Sequence, residues 1–197
     1  MTDAVLPALA QLSERLGRCP DLDTLVSAAL SGIADLFGYD HSLLLLRDGF
    51  LPVSAFEDLP ALPKERVDFE AVIAWKDRIL RQSWEHFAAH AGDPARDELE
   101  AFRRAPAQAA WLEDWTLFSA LKARFSGRAW LDWDQGLRDR DEDALERASG
   151  ELEAEVSYQA YLQYLFFRQW ERVLTAARER GVAVMGDMPI YVSLDSA

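Results

Sequence analysis

Asp187 stands in Gly186-Asp187-Met188-Pro189, just past the apolar run Val182-Ala183-Val184-Met185. Gly186 lets backbone approach closely, and Pro189 fixes the turn that follows. A carboxylate at such a point is placed to accept hydrogen bonds from the hydroxyls of a sugar. The competing reading is a turn aspartate that bonds its own backbone, and position alone leaves both open.

Two other sets of residues carry chemistry by type. His86 and His90 lie four apart on a helical pattern, which is a metal-ligand spacing. Phe87 occupies the position where the zinc-protease pattern wants Glu, and no third ligand stands out, so the pair reads as a solvated helix face. No metal site is expected. Neither a Gly-x-Ser-x-Gly elbow nor a phosphate-cradling glycine loop is present, which removes support for serine-hydrolase and nucleotide-hydrolase readings. Seven tryptophans offer aromatic faces suited to the C–H face of a pyranose. Trp75, Trp84, Trp111 and Trp115 fall at helical spacing and are expected in the core. Trp130 and Trp133 lie in less regular sequence and are expected to be exposed.

The elements that must position these residues follow from periodicity. Residues 4–17 carry Val5, Leu9, Leu12 and Leu16 at helical spacing. A second helix starts at Asp21 or Asp23 and runs to Phe37, with Gly38 after it. Residues 41–46 read as a short buried strand, and Asp48-Gly49 as a turn. Prolines 52, 60 and 63 mark a loop. A helix begins at Asp68 and is interrupted at Asp93-Pro94, and a further one holds Leu99 and Phe102. Pro106 opens a helix over 107–125, which Ser126-Gly127 breaks. Residues 139–156 are charged and helical in pattern. Residues 158–180 predict a long amphipathic helix stopped by Gly181. Residues 182–185 have no alternation, and an unbroken apolar run after such a helix predicts a parallel strand covered on both faces. Ligands bind at the C-terminal edge of such strands.

The chain has 197 residues, a net charge of −13, half its residues hydrophobic and 11% aromatic. That composition is globular. The acidity, with no basic stripe, argues against nucleic acid and against an anionic membrane surface. The apolar run at residues 43–46 is far too short to span a bilayer. The lone Cys19 forms no internal disulfide, and the opening residues hold no basic-then-apolar leader, so a cytoplasmic protein is expected.

Residues 158–197 run from Tyr158-Gln159-Ala160-Tyr161 through Phe166-Phe167-Arg168-Gln169-Trp170 to Gly186-Asp187-Met188-Pro189-Ile190-Tyr191-Val192-Ser193-Leu194-Asp195. They resemble the 4-alpha-glucanotransferases (amylomaltase or disproportionating enzyme, glycoside hydrolase family seventy-seven). Upstream, Leu59-Pro60, Val67-Asp68-Phe69, Lys76, residues 111–118 and residues 130–140 are similar too. Asp134 stands where that family often has Pro. The resemblance covers about residues 51–197. Residues 21–48 instead resemble, more weakly, the start of a GAF domain.

The resemblance implies a (β/α)8 barrel that transfers α-1,4-glucan segments between maltooligosaccharides by a retaining double displacement. Such chemistry needs two carboxyl groups about 5–5.5 Å apart. The resemblance places that pair on later barrel strands, so no catalytic residue is expected here and turnover by this chain alone is not expected. It assigns Asp187, Tyr191 and Asp195 to substrate binding, with no cofactor. The expected chain is a barrel fragment of α/β class, itself mostly α-helical with one or two short strands. Its expected parts are a GAF-like piece over 1–50, a helical subdomain over 51–157, and a barrel helix plus strand over 158–197. The alternative is a glucan-binding or GAF-like interaction module without catalysis.

Overall fold

The computed structural model describes residues 45, 48–56, 68–186 and 191–196, and the chain divides into two compact units, residues 1–91 and 92–197. The expected helices before residue 44 and most of the GAF-like stretch lie outside the described residues.

In the first unit, a 3-10 turn at Val53–Phe56 precedes helix α1, Phe69–His90. Asp68 caps α1 by accepting from the Ala71 amide at 3.1 Å, which satisfies one of the donors a helix start leaves open. Ile79, Ser83 and Phe87 recur every four residues and form its buried stripe. The Ser83 hydroxyl donates to the Phe50 carbonyl at 2.8 Å. The Phe50 and Phe87 rings meet edge to face at 5.1 Å. The Asp48-Gly49 turn is as expected: Gly49 has φ +76°, and the Phe50 amide closes on the Leu45 carbonyl at 2.7 Å. Leu45, the one described residue of 41–46, is buried but helical, so the expected strand is not borne out there.

The second unit is helical throughout its regular parts. In order come α2 (Asp93–Arg104), α3 (Pro106–Ala109), α4 (Leu112–Arg124), a 3-10 turn (Trp130–Asp132), α5 (Gln135–Arg138), α6 (Glu142–Glu151) and α7 (Glu153–Glu179). The single helix expected over 107–125 is two, because Trp111 takes a non-helical φ of −141°. The long helix starts at Glu153, earlier than the 157/158 border expected from sequence.

α7 packs chiefly against α4 and next against α2. Its buried residues are Tyr158, Ala160, Tyr161, Tyr164 and Leu165. Each large apolar side chain so covered contributes about 1.5–3 kcal/mol. The Tyr164 hydroxyl donates to Glu98 at 2.8 Å, and Arg168 lies 3.7 Å from the same carboxylate oxygen. Phe102 and Trp111 pack on Phe167 at 5.5 and 6.0 Å.

A second cluster gathers Leu121, Trp133 and Ala148 beneath Phe118, Phe125 and Trp130. Trp133, expected exposed, is buried between Phe118 and Phe125, with centroids at 5.5 and 5.4 Å. Its indole N–H donates to the Arg128 carbonyl at 3.2 Å, so burial leaves no unpaired donor. Trp75, Trp84, Trp111 and Trp115 are half-buried rather than fully in the core.

Gly181 ends α7 as expected. It takes φ +66°, its amide bonds the Arg178 carbonyl at 3.0 Å, and the Val182 amide bonds the Ala177 carbonyl at 2.9 Å. This is the double-bonded helix stop that a residue without Cβ adopts at little cost. The parallel strand expected at 182–185 is not formed, and no strand occurs among the described residues. A parallel strand exists only when a neighbour accepts and donates along its edge, and the described residues supply none. Val182, Val184 and Met185 are consequently exposed.

Candidate functional site

The geometry around the sequence-assigned residues starts at the end of α4. Ser126 and Gly127 both take left-handed φ, +53° and +78°. Their amides bond the Ala123 and Lys122 carbonyls at 3.1 and 2.7 Å, which closes the helix. This tight stop turns the chain back so that the Lys122 side chain, from the last turn, reaches over it. The Lys122 ammonium donates to the Gly127 carbonyl at 2.7 Å and the Arg128 carbonyl at 2.9 Å. Its third bond goes to Asp195 Oδ2 at 2.8 Å.

Asp195 is thus held from two sides. Its other oxygen, Oδ1, accepts from the Trp130 amide at 3.1 Å. The Trp130 indole N–H donates to the Leu194 carbonyl at 2.8 Å. The Lys122 hydrogen bond first, and the Trp130 amide second, hold the Asp195 carboxyl below the usual carboxylate range. Both stabilise the ionised form.

A cleft of about 300 Å³ adjoins this contact. Leu117, Phe118, Trp130, Trp133 and Leu137 form its apolar walls, and Ser196 from the same terminal strip lines its edge. Its one carboxylate, Asp114, is paired with Arg140 at 2.7 Å.

Of the three residues assigned to substrate, Asp195 is anchored to α4 and to Trp130, and Tyr191 is 90% exposed. Asp187 lies outside the described residues. Sequence reasoning missed Lys122. Its position in the last turn of α4, where a cation suits the helix C-terminus, was the only local signal. The His86 and His90 rings stack at 4.4 Å on one face of α1, and His90 Nδ1 donates to the His86 carbonyl at 3.0 Å. That bond commits one ring nitrogen of His90 to the helix itself. No cluster of three or more His, Cys, Asp or Glu suited to a metal ion occurs among the described residues. None of their helices is long and apolar enough to cross a membrane.

The model of the 4-alpha-glucanotransferase family matches residues 38–197, and the chain belongs to that family. The match begins ahead of residue 51 and so includes the end of the stretch that resembled a GAF domain. Among curated relatives, the 4-alpha-glucanotransferase of Synechocystis sp. is 38% identical over 153 residues, covering 78% of this chain and 30% of that protein. The 4-alpha-glucanotransferase of Thermus thermophilus is 41% identical over 138 residues, covering 70% and 27%. Among solved structures, the amylomaltase from Streptococcus agalactiae in complex with acarbose superposes with a TM-score of 0.70. It is 28% identical, over 80% of this chain and 31% of that one. The chain therefore spans about 30% of the length of the relatives it matches.

Proposed function

We propose that this chain supplies a helical part and one sugar-facing strip of a 4-alpha-glucanotransferase, which moves α-1,4-glucan segments between maltooligosaccharides. The observation that carries this reading is the family match over residues 38–197. Asp187 accepts hydrogen bonds from sugar hydroxyls, Tyr191 offers its ring and hydroxyl to the glucan, and Asp195 keeps the strip in place. The exposure of Tyr191 supports its part, since a ring that meets a ligand must be reachable.

Residues 158–197 belong to a (β/α)8 barrel, to which α7 contributes one helix, preceded by the helical subdomain over 51–157. The exposed apolar run Val182, Val184 and Met185 supports this, because such a run gains cover only from barrel neighbours. The single Cys19 is in keeping with a reducing, cytoplasmic setting. A retaining transfer needs two carboxyl groups about 5–5.5 Å apart. The Asp114 carboxylate of the cleft is committed to Arg140 and is a poor candidate for either role.

The test is a chimera. Residues 38–197 replace the matching part of the Synechocystis enzyme, and the product is incubated with maltotriose. Glucose plus longer oligomers are expected, with loss of both on Asp187→Ala. A folded chimera that leaves maltotriose unchanged overturns the reading.

A further inference from the structure

We propose that Lys122 is a positioning residue for the sugar-facing strip: through Asp195 it fastens residues 191–196 to the end of α4 and fixes where Tyr191 stands. What the strip binds rests on the function proposed above. How the strip is held does not.

The strip has little apolar hold of its own. Tyr191, Val192 and Leu194 are 90%, 78% and 74% exposed, so burial of apolar surface does not place them. Among the described residues, the hydrogen bonds that tie it across the chain converge on two residues. Lys122 reaches Asp195 Oδ2, and Trp130 reaches Asp195 Oδ1 and the Leu194 carbonyl with its amide and its indole. Charge-assisted bonds of this kind are the stronger ones, and the Lys122 side chain is only 23% exposed.

The platform is set independently of the strip. An ammonium has three donors. Two of those of Lys122 are spent on the Gly127 and Arg128 carbonyls, which fix where its nitrogen sits. The third points out of that turn and meets Asp195.

The other end of the segment is also tied. Gly181 and Val182 close onto α7 through the Arg178 and Ala177 carbonyls. Val182 on one side and Asp195 on the other are thus each tied to the helical body. A strip held in place before a ligand arrives loses less conformational freedom on binding. Lys122 thereby acts on sugar binding without touching sugar.

The experiment uses the full chain labelled with nitrogen-15 and measures exchange of the Trp130 amide and indole protons. The Trp133 indole, bonded to the Arg128 carbonyl, is the internal control. In Lys122→Met and in Asp195→Ala, both Trp130 protons are expected to exchange about tenfold faster or more, the size set by loss of a charge-assisted bond. The Trp133 indole is expected to change by less than about twofold, and Lys122→Arg to restore most of the protection. Asp195→Ala leaves both carbonyl bonds of Lys122 intact, so it remains informative if Lys122→Met disturbs α4. Unchanged Trp130 protons in Asp195→Ala, or equal loosening of Trp133 in both variants, overturns the proposal. Maltoheptaose is titrated into the same samples. An unresponsive wild-type chain counts against the proposed function, whereas the exchange rates judge the anchor by themselves.

Discussion

The ammonium of Lys122 stands 2.8 Å from a carboxylate oxygen of Asp195, 73 residues further along the chain. Because its partners favour the ionised form, Asp195 has a lower pKa folded than unfolded. The stability it contributes is complete above the unfolded value of about 3.9 and is lost as pH falls through the lower folded value. The Trp130 indole resonance is therefore expected to hold steady between about pH 7 and 5 and to move only on acidification below about pH 4. Asp195→Asn should remove that acid step. A step that survives the substitution assigns it to another group.

Trp133 fills the space between Phe118 and Phe125 and bonds Arg128. Trp133→Ala should cost about 3–5 kcal/mol in urea unfolding, as large-to-small changes in a packed cluster do. Trp133→Phe keeps the ring contact and loses the indole bond, so it should cost less.

Ser126 carries a Cβ at φ +53°, a region where L-residues are strained. Ser126→Gly should raise stability by about 1 kcal/mol, and Gly181→Ala should lower it by about 1–2 kcal/mol, since φ there is +66°. Midpoints of chemical unfolding check both signs.

Ser83 is fully buried and bonds the Phe50 carbonyl at 2.8 Å. Ser83→Ala leaves that carbonyl without this donor and should cost about 1–3 kcal/mol. Faster amide exchange along α1, with α7 unaffected, would locate the loss in the first unit.

What was legible in the sequence was local. Asp68 as the cap of α1, the Asp93-Pro94 interruption, the Ser126-Gly127 break and the Gly181 stop each depend on bonds within a few residues. What was not legible depends on partners far away. Trp133 looked exposed because its sequence is irregular, yet Phe118 of α4 and Phe125 just after it cover its ring. Residues 182–185 have strand composition, but a strand is a relation between two segments. Tyr191 and Asp195 were found through resemblance, whereas Lys122 carried no sequence signal beyond its place at a helix end. The break at Trp111 was missed because Ala107, Gln108 and Ala109 favour helix on either reading.

A glucan-facing role for Asp187 and Tyr191, as proposed above, requires that α-1,4-glucan reach both residues. Maltoheptaose titrated into the full chain, followed by the Tyr191 ring resonances, examines this at the residue itself. A saturating shift at millimolar sugar is expected, weakened about tenfold by Asp187→Ala and absent with a β-1,4-linked oligomer of similar length. No shift at millimolar maltoheptaose, or an equal response to the β-linked sugar, would contradict it.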